Sequence, residues 1–248
     1  MKAIILAAGR GSRMGEKTKN LPKCLTTLKG KTLLERQLDA LTTAGIEEIA
    51  VITGYKSEEI TKRFGDLKYF HNENWENTNM VATLLKADEW LKSDACIISY
   101  SDIVYTKKAV ELLKNSAEDI AITYYTEFLK LWQRRFKNPL EDLETFKIDE
   151  NSYLTEIGAR AKSLDEIEGQ YMGLLKFSPN GYEKIRSSMG EDMPKPVERI
   201  DMTGLLSYLL AKNIKIKAVS YNELWLEADN ERDLEIYESD GEIVKELL

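Results

Sequence analysis

Two kinds of residue stand out in this 248-residue chain for what they could do together: cations in a glycine-containing loop near the start, and carboxylates at the ends of apolar runs. Leu6-Ala7-Ala8-Gly9-Arg10-Gly11-Ser12-Arg13-Met14 is followed by Leu21-Pro22-Lys23. Small residues let the backbone approach a ligand, and successive N–H groups in such a turn form an anion-binding concavity. Arg13 and Lys23 add charge, so the expected ligand is a compact polyanion, and both residues are expected in an exposed loop. Ser101-Asp102 ends one apolar run, and Trp225-Leu226-Glu227-Ala228-Asp229-Asn230 ends another. Two hard carboxylate oxygens from Asp102 and Asp229 beside a triphosphate suit Mg²⁺, which completes its shell with water and substrate oxygens. The plainer alternative for each aspartate is a strand-end turn or, for Asp229-Asn230, a helix cap.

Charge supports a localised phosphate site. Between Arg10 and Lys31 seven positive residues face Glu16 alone, a net +6, and because the whole chain is −7 the remainder carries −13. A cationic loop on an acidic body suits a triphosphate better than a nucleic acid, whose backbone needs a broad basic field. A dinucleotide-binding turn is excluded because Met14 stands at its third small position, and no Walker A pattern is present. Cys24, Cys96 and the single histidine, His71, fall in no ligand spacing, which excludes a zinc site, a disulfide framework and a histidine-based triad. The opening MKAIILAAG reads as a buried strand and not a signal peptide, and no stretch approaches the roughly 18 to 20 apolar residues of a membrane helix. The expectation is a cytoplasmic protein, monomer or homodimer, with neither nucleic-acid nor membrane partners.

These residues need a scaffold. The short apolar runs Ala3 to Ala7, Ile49 to Thr53, Cys96 to Tyr100 and Ile120 to Tyr124 predict buried strands. Helices are predicted between them: one from a Thr32/Glu35 capping box to Gly45, then near Ser57 to Phe64, Thr78 to Leu91, Thr106 to Lys114, Met202 to Lys212 and Asn230 to the C-terminus. The alternation predicts an α/β domain with a mostly parallel sheet, in which ligands sit outside the carboxyl ends of the strands. From 125 to 178 the rhythm changes, with strand-like runs near Tyr153 to Ile157 and Tyr171 to Phe177, and predicts a partly antiparallel insertion at one end of the sheet. One domain over 1–248 is expected: a nucleotide-binding half to about 124, an acceptor-binding half to about 229, and a C-terminal helix.

The stretch LAAGRGSRMGEKTKNLPKCL resembles the signature loop of the sugar-nucleotide and cytidylyl transferases, L-A-A-G-x-G-x-R followed by P-K. The resemblance implies a single Rossmann-like nucleotidyltransferase domain with a mixed sheet and a small antiparallel acceptor-side subregion. It implies that Leu6, Ala7, Ala8, Gly9, Arg10 and Gly11 wrap the nucleotide, that Arg13 and Lys23 stabilise the transferring phosphates, and that Asp102 and Asp229 bind Mg²⁺. The segment Trp75 to Leu84, with Asn79 and Thr83, is similar to the cleft-forming stretch of the phosphocholine and 2-aminoethylphosphonate cytidylyltransferases, where Ser101 would also meet nucleotide. In such relatives an aromatic follows the fourth or fifth strand, here Trp132, and the segments matching Gln170 to Gly173 and Arg199 to Asp201 wall the acceptor pocket. Aromatic faces of Trp132 and Tyr171 with carboxylates of Asp201 and Glu227 would complement a small cation on the acceptor. The implied reaction joins CMP from CTP to a small amine-bearing phosphate or phosphonate and releases pyrophosphate. The alternatives are a sugar-1-phosphate nucleotidyltransferase using UTP, GTP or dTTP and a silent nucleotide sensor, the latter disfavoured because Arg13, Lys23, Asp102 and Asp229 are all present. One departure is the block Leu131 to Lys147, longer and more charged than expected of a phosphocholine enzyme.

Overall fold

The computed structural model describes residues 1–247, with Lys17 described in its backbone only. The first half runs β1 (Lys2–Ala7), a short hairpin of β2 (Thr27–Leu28) and β3 (Lys31–Thr32), α1 (Leu33–Thr43), β4 (Glu48–Thr53), α2 (Ser57–Arg63) and β5 (Lys68–His71). α3 (Met80–Leu84), α4 (Asp88–Ser93) and β6 (Cys96–Tyr100) then carry the chain back to the other side of β1, and β7 (Ile103–Tyr105), α5 (Lys107–Asn115) and β8 (Ile120–Tyr125) continue outward. The second half comprises α6 (Phe128–Arg135), β9 (Glu144–Ile148), β10 (Leu154–Arg160), β11 (Gln170–Phe177), α7 (Pro179–Ser188), α8 (Met202–Ala211), β12 (Lys217–Tyr221), β13 (Trp225–Glu227), α9 (Glu231–Ser239) and α10 (Gly241–Leu247).

Seven strands form the main sheet in the order β12-β8-β11-β6-β1-β4-β5. Neighbours pair in parallel except around β11, which is antiparallel to both β6 and β8. The apolar runs are continuous because both faces of the sheet are covered. Along β1, Ala3, Ile5 and Ala7 join one core cluster while Ile4 and Leu6 join the other, the period-two alternation of a strand. From β1 the chain proceeds one way to β4 and later the other way to β6. That reversal opens a crevice outside the carboxyl ends of β1 and β6, where Ala8 and Asp102 emerge.

Several predicted elements keep their bounds. Cys96–Tyr100 is a strand as expected, and α1 starts at a Thr32/Glu35 capping box with both reciprocal hydrogen bonds in place. Three readings need correction. Gln170–Phe177 belongs not to an insertion but to the middle of the main sheet, buried between β6 and β8. The predicted helix Thr78 to Leu91 is divided by a tight turn at Leu85–Ala87, and α4 restarts with Asp88 and Glu89 at its favourable positive end. The C-terminal helix breaks at Asp240, whose carboxylate accepts from the N–H groups of Glu242 and Ile243 and so caps α10; its expected last residue, Leu248, lies outside the described residues. The insertion proper is α6 with the antiparallel pair β9-β10.

Candidate active site

The loop leaving β1 folds tightly back on itself. Gly11 adopts φ +69°, and a Cβ there would come within 2.7 Å of the Lys23 side chain, so the close approach requires glycine. Its carbonyl accepts from Thr18 Oγ1 (2.9 Å) and the Met14 N–H (3.0 Å). Leu6, Ala7 and Ala8 are buried, and the Ala8 carbonyl is tied to the Tyr55 N–H. Arg10 lies over the Tyr55 ring, while a Cβ added at Gly9 would meet no atom beyond its chain neighbours within 4 Å among the described residues.

Arg13 and Lys23 sit in different surroundings. Arg13 has a side chain 71% exposed, reaching Asp229 Oδ1 at 3.0 Å. Lys23, expected to be exposed, has a side chain only 8% exposed, with Nζ 2.6 Å from Asp102 Oδ2 and 3.3 Å from Asp229 Oδ1. Gly11 packs on its stem and the two carboxylates compensate its buried charge. Burial alone would depress the Lys23 ammonium, but Asp102 and Asp229 outweigh it and hold its pKa above the ordinary value.

The carboxylates converge through a two-stranded ladder. β7 and β13 pair antiparallel with Ile103 opposite Glu227, and the Ala228 N–H bonds the Asp102 carbonyl at 2.9 Å. Asp102 and Asp229, far apart in sequence, are thereby brought to one point. Asn230, not Asp229, caps α9, which leaves the Asp229 carboxylate for the site. Glu227, expected at the acceptor, joins the pair: one oxygen from each of Asp102, Glu227 and Asp229 lies within 4.8 Å of the others. Burial and the neighbouring charges of Asp229 and Asp102 push the Glu227 carboxyl up to about 8, against the pull of Arg135 and Lys23. Asp102 Oδ1 is buried without a hydrogen-bond partner among the described residues. Three converging carboxylates, together with an unsatisfied oxygen on Asp102, fit a divalent cation such as Mg²⁺.

Beside the acids lies a cavity of about 250 Å³ whose wall includes Tyr100, Trp132, Asp142, Glu144, Gln170 and Tyr171. Trp132 is buried, stacks on Trp225 at 5.8 Å, and donates from Nε1 to Asp142 Oδ2 at 2.9 Å. Its ring is therefore largely committed to packing. Tyr171 packs edge-on against Tyr100, where β11 bulges around Gly173 at φ +73°. Burial and the nearby charges of Asp201 and Asp142 raise the pKa of Glu144. Asp142 and Glu144 both come from the block that departed in length and charge. Asp201 caps α8 by accepting from the Gly204 N–H and faces an adjoining groove instead of this cavity. Asn79 caps α3; Thr83 is buried, accepting from Asn72 and donating to the Asn79 carbonyl; Ser101 stands half-buried beside Asp102.

Two further residues at the site, Arg135 and Asp233, do not stand out in the sequence. Arg135 is fully buried, bidentate to Asp233 at 3.0 and 3.1 Å, and lies 3.6 Å from Asp229. The only sequence signal was an arginine on the apolar face of an amphipathic helix, Leu131-Trp132-Gln133-Arg134-Arg135.

Comparison with known proteins agrees with this geometry. The model of the MobA-like NTP transferase domain matches residues 3–156. The chain is 40% identical over 251 residues to a CTP:phosphoglutamine cytidylyltransferase of Campylobacter jejuni, covering 95% of this chain and 98% of that protein. It is 32% identical over 111 residues to a 2-aminoethylphosphonate cytidylyltransferase of Lancefieldella rimae, across 44% of this chain and 45% of that protein. Among solved structures, the inositol-1-phosphate CTP transferase from T. maritima is similar at a TM-score of 0.76 and 17% identity, covering 99% of this chain and 94% of that one. The CTP:phosphocholine cytidylyltransferase from Streptococcus pneumoniae follows at 0.70 and 18%, covering 96% and 97%. Such low identities bear on the fold alone. By the family model and the full-length relative, the chain belongs to the MobA-like NTP transferase family and is a nucleotidyltransferase of the cytidylyltransferase kind.

Proposed function

We propose that the protein transfers CMP from CTP to a small phosphorylated acceptor that also carries an ammonium group, with release of pyrophosphate. The observation that carries the acceptor half of this reading is the cavity wall: Asp142 and Glu144 put carboxylates beside the aromatic rings of Tyr100 and Tyr171, next to the acid cluster and Arg13. Carboxylates and ring faces attract a cation, whereas a sugar calls for many directional hydrogen bonds to hydroxyls. Phosphoglutamine, 2-aminoethylphosphonate and choline phosphate, named for three relatives, each combine a phosphorus oxyanion with a nitrogen cation. The length and coverage of the first of these likenesses favour a phosphorylated amino acid as acceptor.

In this reading an acceptor oxygen attacks the α-phosphorus in line and pyrophosphate departs. The oxygen is already anionic at neutral pH, so no strong base and no covalent enzyme intermediate are needed. The protein's work is positioning and charge stabilisation. Asp102, Glu227 and Asp229 would hold Mg²⁺, which supplies Lewis-acid polarisation of the phosphate oxygens. Arg13, exposed at the mouth of the site, is placed to meet the triphosphate, and Lys23, held between Asp102 and Asp229, adds its positive charge beside the transferring phosphate. Two buried free thiols and the lack of any described helix long and apolar enough to cross a membrane fit a cytoplasmic enzyme. The test is pyrophosphate release from CTP, UTP, GTP and ATP against phosphoglutamine, 2-aminoethylphosphonate, phosphocholine and glucose 1-phosphate, with and without chelator. Turnover confined to CTP, metal and the nitrogen-bearing acceptors is expected; UTP with glucose 1-phosphate as the best pair would replace this reading with a sugar-nucleotide one.

A further inference from the structure

Arg135 ends α6 with its side chain wholly buried, a position that a guanidinium occupies only with partners. Its fork engages Asp233 through Nε and Nη2, and Nη2 also lies 3.6 Å from Asp229 Oδ2. Among the described residues Nη1 makes no hydrogen bond, and it stands 3.9 Å from Glu227 Oε2. Asp233 in turn accepts from the backbone N–H groups of Asp229 (2.9 Å) and Asn230 (3.1 Å). The Glu227–Asp229 segment is thus gripped twice, by the guanidinium at its carboxylates and by Asp233 at its backbone. Lys23 meets the other oxygen of Asp229. Arg135 does not line the acceptor cavity, although its guanidinium lies 5.2 Å from the Trp132 ring that does. A buried ion pair adds little net stability over apolar packing, because desolvation consumes most of its Coulombic gain. Stability alone therefore leaves this arrangement without a purpose.

We propose that Arg135 is a positioning residue: with Asp233 it fixes the carboxylates of Glu227 and Asp229 in the orientation that receives the divalent cation. The inference rests on the metal reading above. Arg135→Lys keeps the charge but cannot make two parallel hydrogen bonds. With Mn²⁺ as the probe, electron paramagnetic resonance of the nucleotide-free protein should show its dissociation constant raised about 10-fold or more, the range for losing an outer partner of a metal ligand. The metal concentration for half-maximal activity and kcat should worsen by a similar factor, while the acceptor KM stays within about twofold because Arg135 lies outside the cavity. A merely structural residue would lower the melting temperature in chelator and leave Mn²⁺ affinity at the wild-type value, and that result overturns the proposal. Should Arg135→Lys fail to fold, Asp233→Asn retains a side-chain oxygen for the backbone N–H groups yet loses the charge that holds the fork. Wild-type Mn²⁺ affinity in that variant equally overturns it. Wild-type protein separates the two levels: full turnover in chelator removes the metal reading itself, whereas metal-dependent wild type with undiminished binding in Arg135→Lys removes only the role of Arg135.

Discussion

Arg13 and Lys23 lie on one continuous loop leaving β1, whereas Trp132, Asp142, Glu144 and Tyr171 reach a single cavity from a helix, a connecting turn and two strands. The loop side is cationic and built from local backbone geometry: Gly11 must be glycine for the chain to close on Lys23. The proposed acceptor side is acidic and aromatic, and only tertiary packing assembles it. Binding phosphate demands fixed backbone and charge, which one short segment supplies. In the proposed reaction, choosing an acceptor demands a shaped wall, which can change through Asp142 or Glu144 without disturbing the groups proposed to act on phosphorus.

The contrast is sharpest at Lys23. Lys23→Ala should lower kcat by about 10²- to 10³-fold, the cost of losing one preorganised charge-stabilising donor. It should also destabilise the chelator-treated protein by about 3 to 5 kcal/mol, because Asp102 loses its ion-pair partner in a largely buried site, while Arg13 and Arg135 stay on Asp229. Steady-state kinetics and thermal unfolding with and without Mg²⁺ read both effects; near-wild-type turnover would remove the loop from the mechanism. Arg13→Ala should lower kcat by about 10²-fold yet change stability by less than about 1 kcal/mol, since its ion pair is exposed. A large loss of stability would show that Arg13 supports the fold.

On the acceptor side the effects should fall on KM. Glu144→Gln is expected to raise the acceptor KM about tenfold, equivalent to roughly 1.4 kcal/mol, with the CTP KM nearly unchanged. Equal shifts in both constants would erase the division between the two regions. Trp132→Phe keeps the ring on Trp225 but loses the hydrogen bond to Asp142, so a rise of about three- to fivefold is expected, from roughly 1 kcal/mol. Trp132→Ala would be a poor test, because emptying a buried tryptophan site costs about 3 to 5 kcal/mol of stability by itself.

The same contrast explains what was legible in the sequence. The parallel strands announced themselves as apolar runs, and the loop as a contiguous pattern of small residues, arginine and lysine. β11 was misplaced because its pairing partners β6 and β8 lie far away in sequence, and nothing local marks a strand as central or peripheral. Lys23 looked exposed because a lysine in a polar stretch reads as a surface residue; its burial depends on Asp102 and Asp229, delivered by the β7-β13 ladder. Glu227 is expected at the acceptor and does line that cavity, but its place beside Asp102 and Asp229 is not legible, since neither its distance to Asp102 nor the presence of Arg135 behind it is a property of local sequence. Arg135 itself is indistinguishable in sequence from its neighbour Arg134, which faces Asp240 and Glu242 nearer the surface.

The most direct measurement is kcat/KM with CTP for 2-aminoethylphosphonate against ethylphosphonate, the same acceptor without its ammonium, in the wild type and in Glu144→Gln. The wild type should prefer the amine by about tenfold or more, and Glu144→Gln should lose most of that preference while retaining turnover of the amine-free acceptor. Equal kcat/KM for both acceptors in the wild type, or a preference that survives intact in Glu144→Gln, would contradict recognition of a cation by the carboxylate wall.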